Sequence, residues 1–265
     1  MQYRNLDTVG WQRLLESPDA TDRIAQVYRD QSFFMEAVVR FVSAGLRQGE
    51  GVVLVMRKPN WDTLAGRLAA QGFDIDRAVE RGQVSVHNAE ETLARLMKDG
   101  VPDSDVFQEK IGSVIRGMRA RYQVVRAFAE MVDILWRDNH RDAADVLAGL
   151  WRDLCQVEPL ALLCAYHIDP LDCAAYGGQV ERICGAYTHL IPDPDYGRFD
   201  DAVSKASQDV LDESAVMMVQ SLAVKDKPRT AMPFGQAVIL WLNQNMPRTA
   251  EKVLARVRTR YGISH

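Results

Sequence analysis

The sequence contains no Gly-Lys dipeptide, which excludes the Gly-x-x-x-x-Gly-Lys-Ser/Thr loop that cradles nucleotide phosphates. Where such a loop would follow the first strand, the chain reads Tyr28-Arg29-Asp30-Gln31-Ser32-Phe33-Phe34, bulky and without glycine. Gly49-Glu50-Gly51 precedes a strand instead of following one, so it is not a dinucleotide fingerprint. Gly-x-Ser-x-Gly and His-Glu-x-x-His are absent as well. The four cysteines, Cys155, Cys164, Cys173 and Cys184, form no Cys-x-x-Cys pair. They read as reduced, buried small hydrophobes. Cys164 and His167 offer two metal ligands without a second pair at zinc spacing, so neither metal nor cofactor is expected. No apolar run approaches the roughly 20 residues of a membrane span. Met1-Gln2-Tyr3-Arg4-Asn5 lacks the apolar core of a secretory signal. The expectation is a soluble, cytoplasmic protein with no membrane partner.

What is present fits a globular fold. The 265 residues are 47% hydrophobic and 26% charged, enough for one large domain with or without an appendage. The net charge of −4 is uneven. Residues 225–265 hold eight basic residues (Lys225, Lys227, Arg229, Arg248, Lys252, Arg256, Arg258, Arg260) against Asp226 and Glu251, while residues 1–224 hold 24 basic and 34 acidic. A basic tail on an acidic body suits an intramolecular dock, an acidic partner or nucleic acid.

Five apolar runs read as strands: Ile24–Tyr28, Gly51–Met56, Gln83–His87, Gln123–Ala127 and Leu160–Tyr166. Val52-Val53-Leu54-Val55 and Leu160-Ala161-Leu162-Leu163 do not alternate, which suits parallel strands buried on both faces. Segments with helical spacing separate them: Ser32–Gln48, Asn60–Gln71, Asn88–Lys98, Asp103–Arg121 and Asn139–Val157. The alternation predicts an α/β fold, a mainly parallel sheet flanked by helices on both faces, with ligands at the strands' C-terminal ends. Tyr187–Phe199 carries Pro192, Pro194 and Gly197 with Asp193 and Asp195, a linker or long loop. It divides an α/β domain (1–197) from a helical C-terminal module (198–265) with helices over Asp200–Ala223, Pro233–Asn245 and Arg248–Tyr261. Arg248, Lys252, Arg256 and Arg260 are the partner-binding candidates of that module.

Several segments, taken in order, resemble a known family. They are Gln26–Asp30, Phe41–Glu50, Arg81-Gly82-Gln83, Ala89–Leu93, Val125–Val132, Leu150-Trp151, Leu162–Tyr166 and Ile183-Cys184. The set is similar to the MEDS family, sensory domains of methanogen and methylotroph regulators, from about residue 20 to 195. The resemblance implies a fold like RecA and KaiC without the nucleotide-binding loop, and a role in sensing small, often hydrocarbon-derived, molecules. The chain departs from the family in places. Arg23 stands where a histidine is usual, Ala129 where a glycine is, and Met56-Arg57-Lys58 where KaiC-like ATPases carry acids. Arg23 opens the option of an anionic ligand.

Strand ends supply the ligand-binding candidates: Tyr28, Arg57, His87, Glu130, Tyr166 and His167, with Trp151 on a helix and His189 after one. Glu130 reads as a carboxylate that hydrogen-bonds a ligand or pairs with Arg23 or Arg57, or else as a cap of the helix starting near Phe128. Tyr28 and the tryptophans Trp136 and Trp151 also suit plain core packing. Asn88 is a candidate helix cap. The leading function is a sensory protein without ATPase activity that binds a small molecule and acts on a protein partner such as a kinase or transcription regulator, with homo-oligomerisation as an option. The alternative is a DNA-binding regulator using the basic C-terminal helices.

Overall fold

A computed structural model describes residues 8–169, 171–172, 175, 178–192, 194–226 and 230–261. Among the residues named above, Met1–Asn5, Cys173, Asp193, Lys227 and Arg229 lie outside the described residues. The chain runs α1 (Thr8–Glu16), β1 (Arg23–Tyr28), α2 (Gln31–Arg47), β2 (Gly51–Met56), α3 (Lys58–Ala70), α4 (Ile75–Glu80), β3 (Val84–Asn88) and α5 (Ala89–Leu96). A short hairpin follows, β4 (Met97–Lys98) with β5 (Val101–Pro102), then α6 (Ser104–Phe107), a π-helical turn (Gln108–Gly112) and α7 (Ser113–Arg119). Next come β6 (Val125–Ala129), α8 (Met131–Arg137), α9 (Arg141–Val157), β7 (Ala161–His167), α10 (Gln179–Ala186) and β8 (His189–Ile191). The chain ends in α11 (Tyr196–Val210), α12 (Glu213–Lys225), α13 (Phe234–Asn245) and α14 (Pro247–Tyr261).

The fold is α/β with a six-stranded sheet in the order β3-β2-β6-β7-β1-β8. β2 pairs in parallel with β3 (Val55 opposite His87) and with β6 (Val55 opposite Ala129), and β6 with β7 (Ala129 opposite Cys164). Every residue of β2 and β6 is buried, as the unbroken apolar runs require of strands covered on both faces. The chain divides into two compact units. One, the sheet unit, comprises Gln12–Gln26 and Asp30–His167; the other, the C-terminal unit, comprises Met1–Trp11, Val27–Arg29 and Ile168–His265. The expected boundary at residue 198 falls inside the latter.

In the sheet unit, helix starts follow local chemistry. Asp30 accepts from the amides of Ser32 and Phe33 (both 2.9 Å) and begins α2. Asn88 accepts from the Glu91 amide (3.0 Å) and begins α5, as its side chain suggests. The stretch expected as one helix over Asp103–Arg121 is interrupted by the π-helical turn.

In the C-terminal unit, α13 is the central helix: Gly235 through Leu240 and Leu242 are all buried, and α13 packs on α11, α12 and α14. The apolar side of α13 is thereby covered by other helices of the same unit. The helix expected over Asp200–Ala223 is two, parted at Leu211-Asp212, where Asp212 accepts from the Ala215 amide (2.8 Å) and caps α12. Thr230 ties down the turn before α13 by donating to the carbonyls of Cys184 (2.6 Å) and Tyr187 (2.9 Å).

Candidate functional site

Two charged clusters occupy opposite ends of the strands β2 and β6. At the N-terminal end Arg126 is 1% exposed. Its guanidinium donates to the Glu50 carboxylate and to the carbonyls of Leu15 (2.7 Å), Phe41 (3.1 Å) and Glu16 (3.0 Å), and it lies 5.2 Å from the Phe41 ring centroid. Gly45 makes room for it, since a Cβ there would stand 2.9 Å from Arg126 Cδ. A buried cation so surrounded is held, not offered.

At the C-terminal end the arrangement differs. Glu130, directly after β6, and Asp133, in the first turn of α8, are both 0% exposed. One Glu130 oxygen accepts from the Arg57 amide (2.6 Å) and the other from the Asn60 side chain. One Asp133 oxygen accepts from the His167 amide (2.7 Å); the other accepts from Arg57 Nη2 (2.7 Å) and Arg137 Nε (2.8 Å). Burial pushes the Glu130 carboxyl above its usual range, opposed by the Arg57 amide and charge and by Asn60, and aided by the neighbouring Asp133 charge. Glu130 occupies the N-cap position of α8, as the helix-cap reading has it, but makes no side-chain cap bond, because its oxygens turn to Asn60 on α3 and to the Arg57 amide after β2.

Arg57 connects this buried pair to solvent. With Arg137 it lines a cleft of about 490 Å³ between α5 and α8, walled by Leu93, Ala94, Met97, Ile134 and Leu135 and rimmed by Glu90, Asp138 and His140. Apolar walls with a few fixed polar groups are the usual make-up of a small-ligand site. The Arg57 Nε is buried without a hydrogen-bond acceptor, 3.8 Å from Glu130 Oε1.

Of the sequence candidates, Arg57 and Glu130 meet here. His167 contributes its backbone amide to Asp133 while its side chain is exposed. Tyr166 is buried and stacks edge-on against Trp136 (5.6 Å). Trp151 is fully buried and edge-on to Phe107 (5.3 Å), a core position away from the cleft lining. His87, on β3, meets Ser85 Oγ through Nε2 (2.9 Å), and burial lowers its pKa, favouring the neutral ring. Tyr28 and His189 belong to the C-terminal unit; Tyr28 is 2% exposed, and His189 Nδ1 lies 2.9 Å from Thr188 Oγ1.

Asp133 and Asn60 escaped the sequence reading. Asp133 had a signal, a lone acid in Met131-Val132-Asp133-Ile134-Leu135-Trp136, four residues before Arg137. Cys155 and Cys184 are buried thiols whose pKa burial raises to about 12, so they stay protonated. On α14, Arg248, Lys252 and Arg256 are exposed, whereas Arg260 pairs with Asp209 (2.5 Å) and Arg258 with Asp172 (3.8 Å). Among the described residues no helix is long and apolar enough to cross a membrane.

No curated protein matches the chain. The family model for MEDS, the methanogen/methylotroph DcmR sensory domain, matches residues 24–176. That stretch covers more than half of the chain and includes Arg57, Glu130, Asp133 and every residue lining the cleft. The chain belongs to the MEDS sensory-domain family.

Proposed function

We propose that this sensory domain binds a small molecule in the cleft between α5 and α8 and signals through protein contacts without performing catalysis. The observation that carries the reading is the double role of Arg57. Its side chain lines the cleft while its backbone and guanidinium hold the two buried carboxylates. A ligand that engages Arg57 therefore alters the balance at Glu130 and Asp133, and through Asp133 the end of β7. The same bonds support a non-enzymatic role. Both Glu130 oxygens already accept hydrogen bonds from the chain, so neither is poised as a base toward the cleft. The Tyr28–Phe34 segment also lacks the backbone nest that ATP requires.

The output surface is assigned to the exposed side of α14, Arg248, Lys252 and Arg256, facing an acidic protein partner such as a kinase or transcription regulator. DNA is the weaker reading, because Arg258 and Arg260 are already engaged by carboxylates. A thermal-shift screen of small apolar and amphipathic molecules tests the site. A saturating ligand should raise Tm, and Ala94→Trp, which fills the cleft from an exposed helix position, should abolish the shift. Ligands that stabilise both proteins equally overturn the assignment to this cleft.

A further inference from the structure

β3 ends the sheet, and among the described residues no strand lies beyond it. The Val52 amide donates to the Gln83 carbonyl (2.8 Å), so Gln83 faces β2. Alternation along the strand then turns Ser85 and His87 backbone groups toward β2 as well, and those of Val84 and Val86 outward. Edge strands are usually blunted by lysine, proline, a bulge or a covering element. Val84-Ser85-Val86-His87-Asn88 has no lysine and no proline, and it pairs with β2 without a bulge. Beside it runs an open groove of about 520 Å³ lined by Val79, Val84, Val86, Val114 and Met118, with Arg121 at one end. Val79 is 42% exposed.

The two ends of this edge carry opposite charge. At the N-terminal end stand Arg81 and Arg121, with Arg121 anchored on the Arg81 carbonyl (2.5 Å), beside the single acid Glu80. At the C-terminal end stand Glu90 and Glu91, both exposed, with the single base Arg95 3.9 Å from Glu91. An edge that is basic at one end and acidic at the other is complementary to itself when turned antiparallel.

We infer that β3 is a homodimer interface, in which a second copy of this chain adds its own β3 antiparallel across a two-fold axis at Ser85. In that register Val84 of one copy faces Val86 of the other, and each such pair exchanges both of its outward N–H···O bonds. Arg81 and Arg121 of one copy then approach Glu90 and Glu91 of the other. The valine grooves close over each other on the same side. The inference stands independently of what occupies the α5–α8 cleft, although Glu90 belongs to both places.

The register makes a sharp test. Ser85 would face its own symmetry mate at a Cα separation of about 4.5 Å, within the range a disulfide spans. Sedimentation of the full chain at micromolar concentration should show a dimer. Ser85→Cys should give a covalent dimer on mild oxidation, where the wild-type chain gives none. Ser85→Lys places like charges directly opposite and should weaken dimerisation by up to about fivefold, with the circular dichroism of the folded monomer retained. A chain that sediments as a monomer overturns the inference, and so does a β3 that pairs only with a strand from another protein. A dimer that Ser85→Lys leaves intact and Ser85→Cys fails to cross-link places the interface elsewhere and equally overturns it. Should Ser85→Lys fail to fold, the Ser85→Cys cross-link decides alone.

Discussion

Arg126 and Arg57 stand at opposite ends of the same neighbouring strands, and their surroundings could hardly differ more. Arg126 at the N-terminal end meets one carboxylate and three backbone carbonyls, with its space secured by Gly45. At the C-terminal end two fully buried carboxylates lean on Arg57 and Arg137, both of which reach a cleft. In the first cluster the cation is enclosed by the fold, which makes it a staple joining α1, α2 and β6. In the second the arginines that meet the carboxylates also line a cleft that a ligand can enter. The contrast sets architecture beside a candidate site within one sheet: a buried charge satisfied wholly inside the fold is architecture, and one satisfied through a cleft-lining arginine is a candidate sensor.

Breaking the staple should have the largest effect. Arg126→Met leaves the Glu50 carboxylate and three carbonyls without their donor and should destabilise the chain by about 3–5 kcal/mol in urea unfolding. Asp133→Asn removes charge-assisted bonds to Arg57 and Arg137 and should cost about 1.5–3 kcal/mol. Unlike Arg126→Met, it should also change ligand response. Gly45→Ala sharpens the same contrast: its Cβ would stand 2.9 Å from Arg126 Cδ, so overpacking by about 1–3 kcal/mol is expected with ligand response unchanged.

The smallest expected effect concerns pH. Glu130 has a carboxyl pKa raised by burial, so the folded chain holds that proton more tightly than the unfolded chain does. The associated stability is fully present below the ordinary carboxylate pKa and is lost as pH rises through the raised value. Glu130→Gln removes this dependence. The stability of the variant relative to wild type should therefore improve as pH rises from about 4.5. A difference that is flat with pH would place the Glu130 charge outside the account.

The strands of the sheet core were legible because Val52–Val55 and Leu160–Leu163 are apolar at every position, a pattern only a doubly covered strand needs. β8 was not, being three residues long beside Pro192. The π-helical turn at Gln108–Gly112 barely disturbs helical spacing, and the break at Leu211-Asp212 contains neither proline nor glycine. At the site, Arg57 and Glu130 were visible as strand-end charges. The cleft walls were not, because Leu93, Ala94 and Ile134 lie on α5 and α8, brought together only by the β3-β2-β6 order. Asp133 was missed because two of its donors, Arg57 after β2 and the His167 amide at the end of β7, lie far from it in sequence.

In the proposed mechanism Arg57 carries ligand binding in the α5–α8 cleft to the buried carboxylates. Amide NMR of the full chain during titration with a thermal-shift hit tests it most directly. Shifts are expected at Arg57, Leu93–Met97 and Ile134–His140, with the His167 amide, which donates to Asp133, moving in step, and no such shifts in Ala94→Trp. A hit that binds while leaving Arg57 and His167 unmoved, or that perturbs Ala94→Trp identically, would contradict it.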